Sequence, residues 1–364
     1  YQELTQHYPK PGWVEHDANE IWEITKKLIR LAFKENNPKY CLSIGIANQR
    51  ETTLIWNRKD SRPIHNAIVW QCRRTKYICE ELKKINLEKQ FYKRTGLMID
   101  SYFSATKIKW LLDNYNEGHK KAQNGDLVFG TIDSWLLWKL TGGKRHATDF
   151  TNASRTLIFN IENMIWDEEL LKILNIPFSL LPEVMPSSGI FGETDIKLFN
   201  ISIPITGIAG DQQSALFGQG CINPGDTKCT YGTGSFLLTN TGKKRIKSSN
   251  GLITTIACDI NGKPVYALEG SVFMGGAIIQ WLRDELKLLE NAADSDKIAR
   301  NVKDNNGVCI VPAFTGLGAP YWNMDAHGII TGLTRGSNRY HIIRAALESI
   351  AFQVKDILDI IKID

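Results

Sequence analysis

Apolar residues along this chain alternate between two kinds of run. Short continuous runs read as buried strands, and longer runs with three- and four-residue spacing read as helices. Asp17 sits ahead of a helix in which Ile21, Ile24, Leu28 and Leu31 share a face, and Glu20 three residues on completes a capping-box pattern. Strands are predicted from Tyr40 to Ala47, Thr52 to Trp56 and Ile64 to Trp70. The first ends in Asn48-Gln49-Arg50-Glu51, and the third runs into Gln71-Cys72-Arg73-Arg74 and a helix to about Ile85. Gly96 to Tyr102 reads as a loop, Ala105 to Asp113 as a helix with Tyr102 at its head, Leu127 to Gly130 as a strand and Ile132 to Leu140 as an aromatic-rich helix. Thr151 to Ser154 is a turn or cap, Trp166 to Leu174 a helix closed by Pro177, and Pro182 to Ser188 a loop.

Ile203 to Ile208 is the next buried strand, and Gln212 to Phe217 the helix behind it. Asp211 therefore stands where a strand stops and a helix starts. A carboxylate there either caps the free N–H groups of the first turn or projects into a site at the carboxyl end of a sheet, and both readings stay open. The turn Cys221-Ile222-Asn223-Pro224-Gly225-Asp226 separates two periodic regions, so two α/β domains are expected: 1–220, a hinge at 221–228, and 229–364. In the second, Gly232-Thr233-Gly234 between two strands suits either an anion held by backbone N–H groups and the Thr233 hydroxyl or an ordinary hairpin. Gly275-Gly276, before a helix from Ile278 to Leu286, suits either a phosphate or tight packing. Strands at Val308 to Phe314 and Ile329 to Leu333 and a long helix from His341 to Ile361 complete the pattern.

Composition narrows the classes. Over 364 residues, 43% hydrophobic and 23% charged is the balance of a globular protein, and a net charge of +5 with dispersed Lys and Arg gives no nucleic-acid footprint. Lys243-Lys244-Arg245 reads as a solvated loop. No apolar run is long enough to span a bilayer, and the 364 residues read as carrying no signal or transit leader, so a cytoplasmic protein is expected. The seven scattered cysteines form neither a disulfide framework nor a zinc pattern, and Cys41, Cys258 and Cys309 read as buried small hydrophobes. His16, His119, His146 and His327 read as surface residues, and no metal ligands are assigned.

Several stretches together carry a resemblance. They are Asn48 to Thr52, Ala67 to Thr75, Gly207 to Gln213, Thr230 to Gly234 and Phe314 to Trp322, with signatures from Tyr102 through Lys107 to Asn114 and from Gly328 to Glu348. They resemble the FGGY family of carbohydrate kinases over nearly the whole chain. The resemblance implies an α/β, two-domain actin/hexokinase-type ATPase (ribonuclease H-like) fold with a central cleft. It implies ATP and Mg²⁺ as cofactors and, through Arg50-Glu51 and Trp70 to Arg74, glycerol as substrate.

By the same resemblance Arg50 and Glu51 hold two hydroxyls, Tyr102 adds a hydrogen bond, and Trp70 and Phe236 form an apolar wall. Asp211 is then the general base, with Gln212 beside it, and Thr233, Gly276 and Gln280 belong to the nucleotide site. A homodimer or tetramer is implied as well. Another polyol or sugar kinase of the family is the near alternative. The family's first phosphate loop and its adenosine loop are missing, so the chain is expected to be an internal fragment of a longer kinase. If those loops are truly absent, a non-catalytic polyol-binding module is the reading from another class. The loop from Ile196 to Ile201 lacks the stretch with which bacterial relatives bind fructose 1,6-bisphosphate, so no such inhibition is expected.

Overall fold

The computed structural model describes residues 1–364. They divide into two compact units. The first is Tyr1–Ile222 with Gly242–Lys244 and Thr255–Tyr266, and the second is Asn223–Thr241, Arg245–Thr254 and Ala267–Asp364.

In the first unit, strand Pro204–Gly210 lies between Ser188–Glu193, antiparallel to it, and Ile44–Asn48, parallel to it. The parallel register sets Gly210 opposite Asn48, so both chains leave the sheet at the same end. Ile46, Ile205 and Ile208 are buried from this sheet with Trp22, Trp135 and Phe191 in one core. A second pair, Leu54–Asn57 and Leu127–Gly130, is antiparallel and adds Trp56, whose ring meets Trp135 edge-on at 5.3 Å. Gly130 is required there, because a Cβ would come within 2.8 Å of the Trp56 ring.

The second unit pairs Thr227–Tyr231 antiparallel with Ser235–Gly242, setting Thr227 opposite Thr239 and Tyr231 opposite Ser235. Its long helix, Arg339–Ile363, starts from a full capping box between Asn338 and His341 and buries Ile343, Ala346, Val354 and Ile357. No helix is long and apolar enough to cross a membrane.

Several expectations are corrected. The helix Ala18–Glu35 is capped by Asp17, but Glu20 accepts from the N–H and hydroxyl of Thr5 instead of returning to the cap. Its buried face runs through Ala18, Ile21 and Trp22 with Ile29 and Phe33 against the core, and Leu31 is exposed, because the tryptophan pulls the stripe round. The strand expected from Tyr40 begins at Ile44, since Pro38–Tyr40 forms a 3₁₀ turn capped by Asn37. The third strand shrinks to Ala67–Ile68, whose partner Glu15–His16 is equally short.

Pro182 to Ser188 is not all loop. Glu183–Met185 pairs with Ala147–Asp149, and Ser188 opens a strand. Helix Glu88–Thr95, closed by Gly96 at φ 74°, is additional. Cys309 is exposed and Cys41 and Cys258 half-buried, while Cys72 and Cys79 are the buried thiols. His16 is buried and His146 nearly so, not surface. His146 Nε2 donates to the Phe129 carbonyl at 2.7 Å, and burial pulls its pKa down to about 4.

Candidate functional site

Two loops leave the paired ends of Ile44–Asn48 and Pro204–Gly210. One carries Arg50 and Glu51, and the other becomes helix Asp211–Gly218. Asp211 is the first helical residue, after Gly210 at the N-cap, and its Oδ1 accepts the Gln212 N–H of the first turn at 2.8 Å. Its side chain is also 45% exposed, as a group available to a ligand must be, beside an Arg50 side chain that is 2% exposed.

Arg50 is the hub. Its Nε stands 3.5 Å from Asp211 Oδ1 and 3.7 Å from Glu51 Oε1. Its terminal nitrogens donate to Gln213 Oε1 at 3.2 Å and the Tyr102 hydroxyl at 3.4 Å. Gly210 makes this approach achievable, since a Cβ there would stand 2.7 Å from Arg50 Cγ and Cδ. Gln213 in turn donates to the Ile256 carbonyl at 3.0 Å. Gln212 donates from its side chain to Asp211 Oδ2 at 3.2 Å. Trp70, half-buried, meets the Tyr102 ring edge-on at 5.7 Å. The structure therefore brings Arg50, Glu51, Trp70, Tyr102, Asp211 and Gln212 together within the first unit.

The layer beneath holds these groups in place. Asp100 Oδ1 accepts from Arg73 Nη1 and from the Tyr102 N–H, both at 2.8 Å, which fixes the loop presenting Tyr102. Lys107, wholly enclosed, donates to the Tyr102 and Phe103 carbonyls at 2.5 and 3.3 Å, and desolvation pulls its pKa down to about 8. The Thr151 hydroxyl accepts the Gly210 N–H at 2.8 Å and donates to Asp149, so the peptide just before Asp211 is tied to a buried carboxylate. Burial raises the pKa of Asp149. It also raises that of Asp133, to about 6, where the side chain accepts from Asn48 Nδ2 at 3.2 Å.

In the second unit the turn Gly232–Gly234 joins Thr227–Tyr231 to Ser235–Gly242. The N–H groups of Gly275 and Gly276 donate to the Thr233 and Gly232 carbonyls at 2.8 and 2.7 Å. These glycines thus make the tight packing contact, with their amides already used, and Thr233 and Gln280 face outward beside them. Phe236 is buried one residue past that hairpin end. No group of three or more His, Cys, Asp or Glu side chains is arranged to hold a metal ion.

Sequence reasoning did not single out Arg155, Gln213, Asp149 or Asp100. An arginine inside a run of small and apolar residues, Ala153 to Phe159, is a signal for the first. The others look like ordinary polar loop residues until the chain is folded.

Residues 1–218 match the N-terminal domain of the FGGY family of carbohydrate kinases, and residues 227–364 its C-terminal domain. A glycerol kinase of Carboxydothermus hydrogenoformans is 60% identical over 366 aligned residues, covering 100% of this chain and 73% of the relative. The crystal structure of Plasmodium falciparum glycerol kinase with ADP superposes with a TM-score of 0.87 at 42% identity, covering 100% of this chain and 73% of that one. A ligand-bound xylulose kinase from Lactobacillus acidophilus, at 24% identity, shares the fold with a TM-score of 0.84 over 99% of this chain and 72% of its own. The fold is the two-domain actin/hexokinase-type ATPase fold common to these kinases. With both domain matches spanning the sequence, the chain belongs to the FGGY family of carbohydrate kinases.

Proposed function

We propose that this protein catalyses ATP-dependent phosphorylation of glycerol to sn-glycerol 3-phosphate. The observation that carries the reading is the cluster at the paired strand ends. There a half-exposed carboxylate, Asp211, sits 3.5 Å from the Arg50 guanidinium, with Glu51 and Tyr102 enclosed around it. A molecule that is little more than three hydroxyls needs such charged donors and acceptors, and an aromatic wall for its carbons. Relatives named glycerol kinase at 60% identity supply the substrate and reaction.

In this reading Arg50 and Glu51 bracket two hydroxyls and Tyr102 reaches a third contact, with Trp70 against the carbon chain. Asp211 accepts the proton of the primary hydroxyl as its oxygen forms a bond to the γ-phosphorus, and the bond from that phosphorus to the β-bridging oxygen breaks with ADP as leaving group. Gln212 orients the Asp211 carboxylate through its 3.2 Å hydrogen bond. Phosphoryl transfer asks for positioning and charge more than covalent chemistry. Thr233, Gly276 and Gln280 belong to the nucleotide side, so residues 1–220 serve the polyol, 229–364 the nucleotide, and 221–228 act as hinge. Mg²⁺ accompanies ATP. The chain presents no acidic cluster built for a metal, so the ion would enter on the phosphates of ATP.

The test is coupled ADP release with Mg·ATP against glycerol, dihydroxyacetone, xylulose and gluconate. Glycerol is expected to give the highest kcat/KM, and preference for xylulose or gluconate overturns the assignment. Asp211→Ala should keep the fold and lose about 10²–10⁴ in kcat; undiminished turnover would remove Asp211 from the role of base.

A further inference from the structure

We propose that Arg155 is a positioning residue of the polyol site, acting through Glu51. The inference rests on the glycerol-site reading above and names a residue that reading does not use. Arg155 follows the helical turn Phe150–Ala153, which Asp149 caps, and its N–H donates to the Asn152 carbonyl at 3.0 Å. The next residue, Thr156, accepts the Ala105 N–H at 2.8 Å, which ties this segment to the head of helix Ser104–Asp113. Its side chain is fully buried, with Nε 2.6 Å from Glu51 Oε1. The guanidinium carbon lies 5.3 Å from the Tyr102 ring and 5.1 Å from that of Phe103.

Glu51 needs this support for two reasons. Its backbone is at φ 60°, a left-handed conformation uncommon for a residue other than glycine. The Thr53 and Ser104 hydroxyls hold it there by donating to its carbonyl at 2.8 and 3.2 Å. That conformation turns a charged side chain inward to 2% exposure, where a carboxylate requires a nearby counter-charge. Arg50 cannot serve Glu51 alone, because its Nε stands between Glu51 at 3.7 Å and Asp211 at 3.5 Å. Two carboxylates therefore face the Arg50 guanidinium, and Arg155 is the second guanidinium on Glu51, with the buried Lys107 ammonium adding to the positive field there. With Arg155 holding Glu51 Oε1, Arg50 is left near Asp211 and the Glu51 carboxylate keeps one orientation toward the polyol. Without it, Arg50 is drawn to Glu51, and both hydroxyl contacts shift together.

The experiment measures steady-state ADP release with glycerol and ATP varied separately, alongside thermal unfolding, on the unsubstituted protein and on Arg155→Lys, which keeps the charge but not the planar fork. Expected is a rise of tenfold or more in glycerol KM, with ATP KM and the unfolding midpoint essentially unchanged. A glycerol KM within twofold of the original, or equal rises in both KM values, overturns the inference while leaving the kinase reading in place. No glycerol-dependent turnover in the unsubstituted protein is the separate result that overturns the kinase reading. Should Arg155→Lys not fold, Arg155→Gln made together with Glu51→Gln removes both members of the buried pair at once. Its glycerol KM should then match that of Glu51→Gln alone, and a further rise refutes action through Glu51.

Discussion

Gly210→Ala puts the geometry of the site to its most direct test. Gly210 has φ −58° and ψ 147°, which any residue can adopt, so the substitution introduces no backbone strain. Its whole effect is steric. The new methyl group would stand 2.7 Å from Arg50 Cγ and Cδ and 2.9 Å from Gln213 Oε1, where ordinary contact is 3.4–4 Å. Relief requires Arg50 to move by about 0.7–1 Å, and its side chain is enclosed and engaged with Gln213 and Tyr102. Overpacking of this kind costs about 1–3 kcal/mol of stability. A displacement near 1 Å in a positioning group costs about 10²-fold in rate.

The expected result is therefore a fall of about 10²-fold in kcat/KM for glycerol, an unfolding midpoint lower by several degrees and little change in ATP KM. Gly207→Ala, three residues back on the same strand, is the control, because its methyl group would meet only the Ser187 carbonyl at 3.7 Å. Coupled ADP release and thermal unfolding on both variants decide the matter. If Gly210→Ala keeps kcat/KM within threefold, or Gly207→Ala is equally impaired, Arg50 is not the placed group that the site requires.

Three further outcomes are expected. Gly275→Ala sets a methyl group 2.8 Å from the Gly234 carbonyl carbon and Ser235 Oγ, and should raise ATP KM about tenfold with glycerol KM unchanged, through overpacking of about 1–3 kcal/mol at the hairpin. His146, held down to about 4 by burial, titrates below its unfolded value of 6.5, so the unfolded chain takes up the proton first. Its stabilisation, about 3 kcal/mol by linkage, is complete above pH 6.5 and lost as pH falls toward 4. The gap between the urea midpoints at pH 7 and pH 4.5 should accordingly be smaller in His146→Gln than in the unsubstituted protein. Fructose 1,6-bisphosphate should not inhibit turnover, since the loop from Ile196 to Ile201 carries neither glycine nor arginine; strong inhibition in a titration would refute this.

The linear sequence by itself determined the α/β class, the strand–helix junction at Asp211, and the polar ends of the strands that carry Arg50 and Glu51. These are local properties. A buried run ending at Gly210 must stop there, and helix formers follow it directly. The sequence also placed the Gly232–Gly234 hairpin, because glycine spacing between two strands reports on the backbone alone. Only the tertiary structure decided which of the polar groups meet.

Asn48 and Gly210 are 162 positions apart, and only their pairing in parallel register sets Arg50 beside Asp211. Arg155 reaches Glu51 from 104 residues away, and nothing in its neighbours' periodicity reports that charge partner. The short strands at Ala67–Ile68 and Glu183–Met185 escape a linear reading for the same reason, since a strand's length is set by its partner. Local propensity is read along the chain. The balance of two carboxylates between two guanidiniums depends on distances that exist only once the sheet has closed its register.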